Sequence, residues 1–93
     1  MVYLVAFNLR TRSQDYSMFF AGLQTRRRWL NFIDNAWLVE TDETSQQLAE
    51  RLNMYLGDND YLLVMQVTND YYGFMPKTAW EWLESVRKEG SLV

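Results

Sequence analysis

The chain contains no cysteine and no histidine, and only one proline and four glycines among its 93 residues. Without thiol or imidazole there can be no zinc site built on those ligands, no thiol nucleophile and no triad with a histidine base. Nothing suggests a disulfide-stapled secreted domain. No apolar stretch approaches the ~20 residues of a membrane span. The N-terminal residues lack a basic segment followed by a long apolar run, so neither a signal peptide nor a membrane partner is expected and the chain reads as a soluble cytoplasmic domain. Repeats, low-complexity tracts and linkers are also missing.

What is present is apolar and aromatic. Hydrophobic residues make up 48% of the chain and aromatic ones 16%, with four Trp, six Tyr and five Phe. A single domain of this length buries only about 60–65% of its unfolded surface. So many rings exceed what one small core needs, and some are expected to cover a partner, with a homodimer the first expectation.

The net charge of −3 hides an asymmetry. Residues 1–30 carry five arginines against Asp15, a balance of +4, whereas residues 31–93 carry four basic side chains against eleven acids, a balance of −7. Seven of the nine basic residues are arginine, the side chain suited to bidentate contact with phosphate or carboxylate. The acidic total argues against a general nucleic-acid coat but leaves room for a local arginine patch.

Hydrophobic periodicity divides the chain into alternating elements. Val2–Leu9 is a continuous β-forming run, read as a buried central strand. Ser13 or Asp15 is placed to cap a helix over about Tyr16–Gln24, with Phe19, Phe20 and Leu23 on one face. The segment RWLNFIDNAWLVET reads as two strands around Asp34-Asn35, a pair that tolerates the positive φ of a tight hairpin turn; one long bulged strand is the alternative. Thr44 and Gln47 form a capping-box pattern ahead of a helix with Leu48, Leu52, Tyr55 and Leu56 in step, and Gly57 is read as its C′ stop. Tyr61–Thr68 is a further strand. Pro76 then opens a terminal helix whose face is either Trp80, Leu83 and Arg87 or Trp82 and Val86, ending before Gly90. The order β-α-β-β-α-β with an appended helix predicts an α+β, ferredoxin-like domain with a core at about 2–68 and an extension at about 76–89.

Three groups of residues could carry function. Asn8 closes the first strand ahead of Arg10 and Arg12, either as a polar anchor for a phosphate-bearing ligand or as a turn-maker beside solvated arginines. Arg26, Arg27 and Arg28 are either a phosphate patch or charges that complement a helix C-terminus, while Trp29, Phe32 and Trp37 are either stacking platforms for bases or sheet-packing rings. Trp37, Tyr71, Tyr72, Phe74, Trp80 and Trp82 are too many rings for one small sheet, and a dimer or partner interface is expected to take the excess. Asp42 and Glu43 precede a helix, and Asp58 and Asp60 flank a turn; this spacing does not aim two carboxylates at one point, so no metal or other cofactor is expected.

The stretches YLVAFNL, DYSMFFAGL, AWLVET and SQQLAERLNMYLGDNDYLLVMQVT give the chain a likeness over about residues 2–68. It resembles the small ferredoxin-like proteins of the CRISPR-associated protein two group, and more nearly their SinR-like relatives in bacteria and mobile elements. The resemblance implies a homodimer with facing sheets, binding of double-stranded nucleic acid and, in some members, metal-dependent cleavage that depends on an Asp at the end of the first strand. Asn8 stands at that position here, and an amide holds Mg²⁺ more weakly than a carboxylate. The tryptophan-rich terminal helix also departs from the group, which often adds a strand there. The expected function is therefore a homodimeric, non-catalytic binding module for nucleic acid or a nucleotide-like anion. The alternatives are a protein-interaction or inhibitor module in phage defence or counter-defence, and a metal-dependent nuclease.

Overall fold

A computed structural model describes residues 1–25 and 27–92. Seven elements follow one another: β1 (Val2–Asn8), α1 (Ser17–Leu23), β2 (Trp29–Ile33), β3 (Ala36–Glu40), α2 (Ser45–Asn53), β4 (Tyr61–Gln66) and α3 (Lys77–Lys88). The fold is α+β, with one four-stranded antiparallel sheet in the order β2-β3-β1-β4. Among the described residues, no helix is long and apolar enough to cross a membrane.

Alternation along the central strand separates two sheet faces. Tyr3, Val5 and Phe7 lie beside Val39 and Trp37 of β3 and beside Gln66, Val64 and Leu62 of β4. This first face meets Phe19 and Leu23 of α1 and Leu48 and Leu52 of α2, which together form the main core. The intervening positions, Leu4 and Ala6 with Leu38 and Ala36, and Met65 and Leu63 of β4, point to the second face. Helix α3 covers part of that face with Ala79, Leu83 and Val86, spaced i, i+4 and i+7. This stripe lies between the two expected ones and leaves Trp80 and Trp82 half-buried on its flanks.

Local chemistry explains most element boundaries. The capping box is complete: Thr44 Oγ1 accepts from Gln47 N at 3.1 Å and Gln47 Oε1 accepts from Thr44 N at 2.9 Å. Helix α3 ends in a Schellman arrangement, with Gly90 at φ 75°, Gly90 N donating to Arg87 O and Ser91 N to Val86 O. The start of α1 differs from expectation. Tyr16 holds the N-cap position without a side-chain cap bond, and Asp15 accepts from Ser17 N at 2.9 Å in a local turn.

The hairpin turns at Asp34-Asn35 as expected, but no non-glycine residue among those described has positive φ. An unprimed turn mismatches the strand twist, and the register shifts between Asn31↔Trp37 and Ile33↔Ala36. The shift moves Ile33 off the Trp29/Asn31 side and places it with Phe32 and Ala36 on the second face.

Candidate functional site

The Asn8 end of the sheet is organised by a carboxylate 52 positions further along the chain. Asn8 pairs with Tyr61, which brings Asp60 under the loop that leaves β1. Asp60 Oδ1 accepts from Arg10 N at 2.6 Å, Thr11 N at 3.0 Å and the Tyr16 hydroxyl at 2.6 Å, while Oδ2 accepts from Gly57 N at 2.7 Å. Desolvation pushes its carboxyl pKa up, but the bonds from Tyr16, Gly57, Arg10 and Thr11 outweigh it and hold the group well below the usual aspartate range. Asp60 thus works as an anchor that fixes the main chain of the loop. Asn8 at the end of β1 and Arg10 and Arg12 on the loop are exposed, and among the described residues neither arginine joins an ion pair.

Gly57 belongs to the same clasp, which replaces its expected role as a helix stop. Helix α2 ends earlier, at Asn53, and Gly57 does not have positive φ. A Cβ on Gly57 would lie 2.5 Å from both Thr11 Cγ2 and Thr11 Oγ1, and that hydroxyl accepts from Asn59 N at 3.2 Å. Gly57→Ala is therefore expected to push the two loops apart and to destabilise the fold by about 1–3 kcal/mol, as overpacking does. Urea unfolding checks the stability, and faster amide exchange at Thr11 would locate the damage.

The other arginines lie elsewhere. Arg27 and Arg28 precede β2 at the opposite end of the sheet, beside Glu40 at the close of β3. The seven-residue β1 separates the two ends by roughly 20 Å at about 3.3 Å per residue. Arg26 lies outside the described residues. Arg27 Nη2 pairs with Asp42 at 2.8 Å on the surface. Arg28 grips buried Glu40 through Nε to Oε1 and Nη2 to Oε2, both at 3.0 Å, and also meets Glu89. The Arg28 guanidinium, helped by the Ser91 hydroxyl and opposed by burial, holds Glu40 down to about 2. Arg51 is engaged likewise, donating to Glu43 at 2.8 and 2.9 Å and to Gly22 O at 3.0 Å. The groove of about 610 Å³ between α1 and α2 is thus walled by charges already paired with one another. Arg10 and Arg12 do not share a surface patch with Arg27 and Arg28.

The six aromatic candidates also divide. Trp37 is 5% exposed and sits in the main core against Phe20 and Trp29, so it has no surface left for a partner. Its indole Nε1 is buried without a hydrogen-bond partner among the described residues. Tyr71 stacks on Trp80 at 6.4 Å, and Trp80 Nε1 donates to Met75 O at 3.2 Å. Tyr72 and Phe74 are 88% and 91% exposed.

These two rings border an apolar surface whose aliphatic members carry no signal in the sequence. Tyr61, Leu63 and Met65 of edge strand β4 are exposed on the second face beside Asn8, Ala6 and Leu4, and Ile33 is exposed across the sheet. YLLVMQ is a continuous apolar run that does not tell an edge strand from a central one; that β4 is an edge follows only from strand order. Between Leu4, Ile33, Leu38, Tyr71, Tyr72 and Trp80 lies an apolar cavity of about 190 Å³.

Among the described residues, no group of three or more Asp and Glu side chains is placed to hold a metal ion. No protein-family model, no curated protein and no solved structure matches the chain.

Proposed function

We propose that this chain is a non-catalytic binding module that works as a homodimer and meets an anionic ligand, nucleic acid or nucleotide, at its Asn8–Arg10–Arg12 end. The observation that carries the dimer is the open second face, where Tyr61, Leu63, Met65, Ile33, Tyr72 and Phe74 are each between 54% and 91% exposed. An apolar face of this extent on so short a chain is the mark of an interaction surface. The strand order β2-β3-β1-β4, with α1 and α2 on one face, supports a ferredoxin-like classification and kinship with the CRISPR-associated protein two group.

The ligand end rests on geometry as well as charge. Asp60 fixes the main chain beneath Arg10 and Arg12, so both guanidiniums project from a rigid loop, and each dimer would present two such loops. Cleavage is disfavoured because Asn8 supplies an amide and the neighbouring Asp60 oxygens are committed to loop donors. Binding of short duplexes is expected at low salt, with affinity falling linearly in log–log form as salt rises. Arg10→Ala with Arg12→Ala should lower affinity about 10-fold and flatten that salt dependence by roughly one to two contacts. Undetectable binding at low salt would reject the ligand assignment. A second reading, a module that captures a different protein through Tyr72 and Phe74, is favoured by their extreme exposure. It predicts a monomer in solution.

A further inference from the structure

The open face has both a projection and a recess, and one short segment supplies the first and part of the wall of the second. Tyr71, Tyr72 and Met75 line the apolar cavity, yet Phe74, between Tyr72 and Met75, is not part of its lining and is 91% exposed. Its ring meets Tyr72 edge-on at 5.7 Å. The cavity holds about 190 Å³ and its walls are aliphatic and aromatic side chains. An apolar cavity of about 150 Å³ accommodates a benzene ring, so a phenyl group fits the recess in both size and chemistry.

The surrounding surface is large enough for a second copy. At about 200 Å² for a large, fully exposed apolar side chain, Tyr61, Leu63, Met65, Ile33, Tyr72 and Phe74 at their observed exposures offer on the order of 800 Å². A stable specific interface needs about 800 Å² per partner. No acidic or basic side chain lies among the residues that line the cavity, so two identical faces can meet there without like-charge repulsion. In a two-fold arrangement the same patch serves both copies, and a projection beside a recess becomes self-complementary.

We infer that Phe74 of one copy seats in the second-face cavity of the other, reciprocally, and is the anchor of the interface. This rests on the homodimer proposed above. Phe74 is then an aromatic hot spot in a desolvated pocket, flanked on the β1 side by the exposed β4 side chains. Ala36, half-buried in the cavity wall, belongs to the seat.

Sedimentation equilibrium on the full chain tests both statements. The wild type is expected to dimerise, and Phe74→Ala to weaken the dimer at least about 10-fold while the unfolding midpoint of the dissociated protomer, measured well below the dimer's dissociation constant, stays unchanged, since an exposed ring adds little to the protomer. Ala36→Leu, which fills the seat, should weaken it comparably; should that variant fail to fold, Phe74→Ala decides the matter by itself. A wild-type dimer whose affinity is unmoved by Phe74→Ala would overturn the anchor and leave the homodimer standing. A wild-type monomer at all concentrations would overturn both, and so would a monomer whose cavity takes up added benzene.

Discussion

Arg28→Ala is expected to lower the unfolding free energy by about 3 kcal/mol at pH 7, the lower end of the cost of stranding one member of a buried ion pair. Glu40 is only 4% exposed, and its carboxylate accepts from Arg28 Nε, Nη2 and N and from the Ser91 hydroxyl. Removing the guanidinium leaves the charge with the Ser91 hydroxyl and the Arg28 amide, in a site still mostly closed to water. The lower end applies because the Arg28 side chain is itself 32% exposed, so water can replace part of what is lost. The damage should spread to α3, whose C-terminal end is held through Arg28 by Glu89 and by Ser85 at 3.4 Å. For a domain whose total stability is about 5–15 kcal/mol, such a loss is easily measured by chemical denaturation.

The same pair sets an acid limit. Glu40 has its pKa lowered from 4.5 to about 2 in the folded chain, so its contribution is fully present above pH 4.5 and fades as pH falls toward 2. A shift of that size corresponds to about 3 kcal/mol. In Arg28→Ala the guanidinium's hydrogen bonds and attraction vanish, while the bonds from the Ser91 hydroxyl and the residue-28 amide remain together with burial, which raises a carboxyl pKa. The variant should therefore gain rather than lose relative stability on acidification. Unfolding curves of the two proteins are expected to converge between pH 4.5 and pH 2; parallel curves would place the acid sensitivity in another group. Replacing Arg28 and Glu40 together with Met and Leu should be close to neutral at pH 7, because it removes the stranded charge together with its partner.

How much of this was legible in the sequence depended on the range of each interaction. The capping box of Thr44 and Gln47 spans three residues, and the hairpin around Asp34-Asn35 is set by neighbours, so both could be read directly. The bulge that turned Ile33 over could not, because it depends on how the turn meets the twist of two strands. The arginine cluster dispersed for a similar reason. Arg28 and Glu40 are twelve positions apart and Arg10 and Asp60 fifty, and only strand pairing brings them within bonding distance. Likewise, an apolar run in a central strand and one in an edge strand look alike, so the exposure of Leu63 and Met65 could not be read from a stretch that shows only a strand. The Asn8–Arg10–Arg12 group was visible because it is contiguous.

Trp37 shows where composition and position disagree, and it yields the second large effect. An excess of rings argued for an interface at Trp37, but β3 lies between β2 and β1, and its first face is roofed by α1. Trp37→Ala is expected to cost about 3–5 kcal/mol, the usual range for emptying a buried aromatic site. Phe20 at 6.2 Å and Trp29 at 5.3 Å would both lose their packing partner. Trp37→Phe should behave very differently. It keeps a ring against Phe20 and Trp29 and deletes the indole Nε1–H, which is buried without a partner among the described residues. Relief of an unsatisfied donor is worth about 1–3 kcal/mol and offsets the smaller ring, so the net change should fall within about 1 kcal/mol. Thermal or urea unfolding of the two variants tests the ordering, and equal losses would mean that the indole nitrogen is satisfied in solution. The dimerisation constant supplies the complementary measurement. Trp37→Phe should leave it unchanged while Phe74→Ala lowers it, because the first ring holds the protomer together and the second is spare.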